Sequence, residues 1–106
     1  MAKDEYLQLA EACMRGILVK LDSFDPDELE ADLAADVLKI TFADGRNCIL
    51  NRQAAARQIW LAEGATAWHF AYDPGQRVWV DTKGRGELLG VLSGLLTKKL
   101  GRRVDL

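Results

Sequence analysis

From Glu28 to Asp81 the chain alternates apolar and polar residues in short runs broken by turn signals, a period of two that points to antiparallel strands. Leu29, Ala31 and Leu33 alternate with Glu28, Glu30 and Asp32, so a strand here shows its acids on one face. In the run from Val37 to Phe42, Leu38, Ile40 and Phe42 oppose Lys39 and Thr41. Asp44-Gly45 is the strongest hairpin signal in the chain and leads into a strand over 46–51. Farther on, Trp68, Phe70 and Tyr72 share one face of a strand over 67–72, with His69 on the other. Asp73-Pro74-Gly75 then turns the chain into a short strand over 77–81 that contains Trp79.

Segments of helical period bracket these strands. Tyr6, Leu9, Ala10, Cys13, Ile17 and Leu21 recur every three or four residues, which predicts a helix over 4–22 with Glu11, Arg15, Leu18 and Asp22 on its opposite side. Asp25-Pro26 ends it, because the residue before a proline is pushed out of the α region. A second helix is expected over 86–100 from Leu88, Leu89, Leu92, Leu95 and Leu96, with Lys98 and Lys99 in its last turn and Gly101 as its stop. Gly90 and Gly94 each cost about 1 kcal/mol of helix propensity against Ala, so the expected reason for both is close approach of the first helix. The order helix, five or six antiparallel strands, helix gives an α+β fold. It is a two-layer sandwich with both helices on one sheet face and the other face open. A chain of 106 residues is expected to form it as one domain, 1–106.

One segment resists this reading. In NRQAAARQIWLAEG, residues 51–64, Asn51 suits a helix cap, AAAR favours helix, and Ala56, Ile59, Trp60 and Glu63 fall on one helical side. Taken instead as a turn and a strand over 58–62, Ile59 and Leu61 face one way while Gln58, Trp60 and Ala62 face the other. Local period does not choose between them.

Charge gives the first functional constraint. The net charge is −2, but residues 1–36 hold ten acids against three bases, while residues 37–106 hold six acids against eleven bases. So acidic a segment repels nucleic acid and attracts cations or basic protein surfaces. No apolar run approaches the roughly 20 residues of a membrane span, and the N-terminus lacks the basic and apolar regions of a signal peptide, so a cytoplasmic location is expected, away from membranes. Cys13 and Cys48 stand alone, without CxxC spacing, and are expected as reduced thiols without a chemical role. Catalytic motifs are missing too: His69 is the one histidine, and neither GxSxG nor a glycine-rich phosphate loop is present. The carboxylates offer oxygen ligands to iron, but without His or Cys in a buried constellation they would hold it weakly and with little selectivity.

The run NRQAAARQIWLAEGATAWHF, residues 51–70, resembles the signature of the frataxin family, in particular its bacterial branch. VWVDTKGRGELLGVLS downstream and the acidic helix and VLKITFADG upstream extend the resemblance over essentially the whole chain. It implies the α-β5/6-α sandwich and resolves 58–62 in favour of a strand. It further implies a non-enzymatic regulator of iron-sulfur cluster assembly that contacts a cysteine desulfurase and a scaffold protein. Asn51, Arg52, Gln58 and Trp60 would then lie on the exposed sheet surface that meets those partners, with His69 and Trp79 on or near it. Glu11, Asp22, Asp25, Asp27, Glu28, Glu30 and Asp32 would form the acidic ridge that binds iron, Fe²⁺ or Fe³⁺, weakly. The implied state is a monomer without iron, with iron-driven oligomers open to it. Two other readings stay open: ferroxidase or iron-storage activity at the ridge, and a paralogue that keeps protein binding but has lost iron. Bacterial frataxins carry consecutive acids where this chain has Leu18-Val19 with Lys20 beside them, which depletes the ridge. Ala65-Thr66-Ala67 likewise replaces the family's glycine-rich step.

Overall fold

A computed structural model describes every residue from Met1 to Leu106. The elements run α1 (Lys3–Leu21), β1 (Leu29–Ala34), β2 (Val37–Phe42), β3 (Asn47–Gln53), a 3₁₀ turn (Ala54–Ala56), β4 (Gln58–Glu63), β5 (Thr66–Asp73), β6 (Val78–Asp81) and α2 (Leu88–Leu100). The strands form one sheet in chain order, β1 to β6, each pairing antiparallel with its neighbour. Both helices pack on one face of that sheet, as the alternation of strands between two helical segments requires.

The core lies between the two layers. α1 contributes Tyr6, Ala10, Met14, Ile17 and Leu21, and α2 contributes Leu88, Leu92 and Leu96. The sheet answers with Leu29, Leu38, Ile40, Phe42, Cys48, Leu50, Ile59, Leu61, Phe70 and Trp79, all buried. On α1 the buried stripe turns toward Met14, leaving Leu9 and Cys13 at its margin. The Tyr6 hydroxyl ties the layers together, donating to the Gln58 carbonyl at 2.6 Å, and the Thr97 hydroxyl fastens the C-terminal strip to α2, donating to the Val104 carbonyl and accepting from its amide. Val104 itself is buried, so the C-terminal strip closes the groove beside α2.

Both readings of residues 51–64 leave a trace in the fold. The Ala-rich stretch does wind, but for one 3₁₀ turn, which Arg57 ends at φ 55° in the left-handed region. The chain then enters β4 with Ile59 and Leu61 inward. α2 begins two residues later than the period suggested, because the Glu87 carboxylate caps it by accepting from the Leu89 and Gly90 amides. The expected contact of Gly90 and Gly94 with the first helix is absent. A Cβ at Gly94 would meet nothing within 4 Å, and one at Gly90 would meet only the capping Glu87 carboxylate, at 3.3 Å.

Candidate functional site

Strand parity sends one set of side chains to the face that the helices leave uncovered. On β4 these are Gln58, Trp60 and Ala62, since Ile59 and Leu61 are fully buried on the other side. Register aligns Asn51 of β3, Trp60 of β4 and His69 of β5 in one row across the sheet. The same row continues through Val37 to Ala34 at the β1 edge.

Trp60 is only partly exposed, and its ring is held in place. The His69 imidazole stacks on it with ring centroids 4.0 Å apart and planes 9° from parallel. Its indole N–H donates to the Gln58 side-chain oxygen at 2.8 Å, a contact open to it because residues i and i+2 of a strand share a face. Asn51, Gln58, Trp60 and His69 are thus gathered on one surface, as the sequence suggested. Val37, 39% exposed, and Gln53, in register with Gln58, belong to the same surface and were not singled out from sequence. Their signal was the alternation itself: Val37 falls opposite Leu38 and Ile40, and Gln53 lies two residues from Asn51.

Two expected members do not lie there. Arg52 pairs in register with buried Ile59 and shares the parity of Cys48 and Leu50, so it points to the helix side. There it borders a small cleft with Glu11, Met14 and Arg15 of α1 and clasps the β1–β2 turn, donating to the Asp36 carboxylate and to the Ala35 carbonyl at 3.3 Å. Trp79 is 5% exposed and pairs with Tyr72 on the core side, edge-on to Tyr6 and Tyr72. The period of two places it inward for the same reason that it places Trp60 outward.

The acids distribute more widely than a single ridge. Glu30 and Asp32 stand on the open face of β1, an edge strand, and with Asp22 they line a shallow cleft that also holds Lys39 and Thr41. Asp25 and Asp27 sit in the exposed α1–β1 turn, where the Asp27 amide donates to the Asp25 carboxylate at 2.9 Å. Glu28 precedes the strand and is gripped by Arg102, whose Nε and Nη2 donate at 2.8 and 2.9 Å. That fork holds the Glu28 carboxyl below the usual range. Glu11 pairs with Arg15 in the middle of α1, apart from the others. Val19, where the family resemblance led one to look for an acid, is 69% exposed.

No three His, Cys, Asp or Glu side chains are grouped so as to hold a metal ion. Of the expected ligands, Asp22, Glu30 and Asp32 border one shallow cleft without converging on a point, Asp25 and Asp27 lie in the adjoining turn, and Glu11 and Glu28 are engaged by arginines elsewhere. The thiols are quiet. Burial, reinforced by the charge of Glu87, pushes Cys13 up to about 12, and burial pushes Cys48 up to about 11.

Comparison with known proteins bears on this geometry. A family model described as a frataxin-like domain matches residues 1–102. The chain is 35% identical over 105 residues to an iron-sulfur cluster assembly protein CyaY from Delftia acidovorans, covering 95% of this chain and 93% of that protein. It is 36% identical over 107 residues to the CyaY of Dechloromonas aromatica, covering 100% and 99%. Among solved structures, the frataxin of Psychromonas ingrahamii superposes with a TM-score of 0.88 at 28% identity, over 99% of this chain and 97% of that one. Trimeric frataxin from Saccharomyces cerevisiae, described as complexed with ferrous iron, shares the fold with a TM-score of 0.76 at 21% identity, over 89% and 87%. With the full-length family match, the sheet order and the central motif in agreement, the chain belongs to the frataxin family.

Proposed function

We propose that this protein is an iron-responsive adaptor of iron-sulfur cluster assembly. In this reading it docks through its open sheet face onto a complex of cysteine desulfurase and scaffold protein. The observation that carries it is the continuity of two features on one uncovered face. Asn51, Gln58, Trp60 and His69 form an ordered aromatic and amide platform, and Glu30 and Asp32 form the acidic edge of the same face. An aromatic held rigid by its neighbours loses little entropy on binding, which is what a contact anchor requires. The acidic edge suits the basic surface of a desulfurase and steers the encounter.

Iron in this account is weakly held cargo, attracted by Asp22, Asp25, Asp27, Glu30 and Asp32 with its hydration shell largely kept. Glu28 and Glu11 contribute less, because Arg102 and Arg15 already neutralise them. The setting is the cytoplasm, where cluster assembly in bacteria takes place. Titration of the protein with a desulfurase and scaffold complex at low salt tests the reading. Saturable binding that changes the rate of sulfide production or cluster formation supports it, and no binding with no change in rate refutes it.

A further inference from the structure

The sheet has two edges, and the chain covers only one of them. β6 is closed off by the segment that follows it: the Asp81 amide donates to the Gly86 carbonyl at 2.8 Å, and Val80 bridges Glu87. β1 has such cover only at its first residue, where the Leu29 amide donates to the Asp25 carbonyl at 3.2 Å. Parity identifies the main-chain groups that remain. The Phe42 amide points toward β3, where it meets the Arg46 carbonyl, so Val37, Lys39 and Thr41 turn theirs toward β1 and pair with Ala34, Asp32 and Glu30. Ala31 and Leu33 therefore direct their N–H and C=O groups away from the sheet, and no other segment bonds them.

An open edge is a template for a further strand, and folds blunt it with a proline, a bulge, a lysine or a covering loop. β1, LEADLA, has none of these, and its six residues pair with β2 in unbroken register. Its charges are Glu30 and Asp32, exposed and two residues apart on the open face. An added strand has the same period, so it sets every second side chain beside them. Against these two acids β2 places one cation, Lys39 in register with Asp32, and the edge stays negative. The helix side offers an apolar seat. Ala31 and Leu33 are partly buried there, Arg15 of α1 shares a cleft with Leu33, and Asp22 shares another with Ala31. Helical period puts Leu18 between Arg15 and Asp22 on that side of α1, and Arg15 is already paired with Glu11.

We propose that the free edge of β1 takes an extended segment of a partner protein as an added strand, one in which Lys or Arg alternates with aliphatic residues. The backbone of that segment bonds the amides and carbonyls of Ala31 and Leu33. Its cations meet Glu30 and Asp32, and its aliphatic side chains lie toward Leu18 and Leu33. A second copy of this chain does not fit, because β1 laid against β1 sets both pairs of acids side by side on one face. The inference rests on the docking reading above for the identity of the partner. It adds to that reading a main-chain anchor, which attraction between exposed charges does not supply.

Isotope-labelled protein is titrated, with NMR detection, with an end-blocked peptide of six residues, as long as β1, in which Lys and Val alternate, and with an isomer in which all Lys precede all Val. Charge and composition are equal in the two, so only the strand pattern differs. The alternating peptide should slow exchange of the Ala31 and Leu33 amides and bind at least about fivefold more tightly than the isomer. Ala31→Pro removes an outward donor and leaves the β1–β2 ladder intact, so this variant should lose the preference. Methylation of the peptide's own edge-facing amides should abolish it equally, which keeps the test decisive if the proline variant does not fold. Equal binding of the two peptides, or shifts centred on Trp60 with Ala31 and Leu33 unmoved, overturns the proposal. A dimer of the free protein in sedimentation that Ala31→Pro abolishes overturns it too, since a second copy then fills the edge. Affinity for the desulfurase and scaffold complex is then compared among the natural protein, Trp60→Ala and Ala31→Pro, with at least about a fivefold loss expected in Ala31→Pro. A loss in Trp60→Ala alone upholds the docking reading and overturns the edge. Absence of binding by the natural protein refutes the docking reading, while the peptide titration still decides the edge.

Discussion

Asp81 is the residue on which the end of the sheet turns. Its side chain is wholly buried and receives the Lys83 and Arg85 amides and a fork from the Arg85 guanidinium, which also reaches the Ala67 carbonyl. The Arg85 hydrogen bonds hold the Asp81 carboxyl at about 2. Because that value lies below the ordinary one, its contribution to stability is whole above about pH 4 and is lost as pH falls toward about 2. Asp81→Asn breaks the fork and takes a charged acceptor away from the Lys83 and Arg85 amides at a buried position, for an expected loss of about 1–3 kcal/mol in denaturant unfolding. The variant's stability should also fall less steeply than the natural protein's between about pH 4 and 2. Trp60 is the opposite case, a large side chain with no part in the core. Trp60→Ala should leave the unfolding midpoint nearly unchanged and cost at least ~1 kcal/mol in partner binding by calorimetry.

At the scale of elements, β2, β5 and both helices were legible because their side chains alternate or recur without interruption, whereas the residues of β4 suited a helix and a strand alike and only the family resemblance chose between them. The β1–β2 turn was not legible. It runs through Ala35 at φ 53°, a left-handed position filled without the Gly or Asn that marks such turns in a sequence. What holds it is Arg52 on the neighbouring strand β3, donating to the Asp36 carboxylate and the Ala35 carbonyl, a contact 16 and 17 residues apart in sequence with no local signal. Arg52 was expected on the open face because it follows Asn51 in the family motif, yet a period of two must send adjacent residues to opposite faces. The same rule places Trp79 inside. Arg52→Ala should therefore lower stability by about 1 kcal/mol while leaving the affinity of the folded protein for its partner within error, a pair of outcomes that thermal unfolding and titration can check together.

Across the whole molecule, charge and shape act together. The helices bury one face of the sheet and leave the other to water, so whatever the protein recognises through its aromatic row meets the acids of the β1 edge as well. The sequence showed the charge imbalance but could not show its division. Glu28 lies next to Glu30 in the alternation, and only the fold brings Arg102, 74 residues away, to neutralise it. Because the remaining acids are exposed, an association that they steer should weaken as salt rises from 0.05 to 0.3 M, mainly through a slower on-rate, with Glu30→Gln combined with Asp32→Asn flattening that dependence.

The central claim, that the uncovered sheet face is the docking surface, is tested most directly by NMR shift mapping of the labelled protein with an unlabelled desulfurase and scaffold complex. The account predicts perturbations concentrated at Asn51, Gln58, Trp60 and His69 and running to Glu30 and Asp32. Perturbations confined to the outer surfaces of α1 and α2, with the Trp60 indole resonance unmoved, would contradict it.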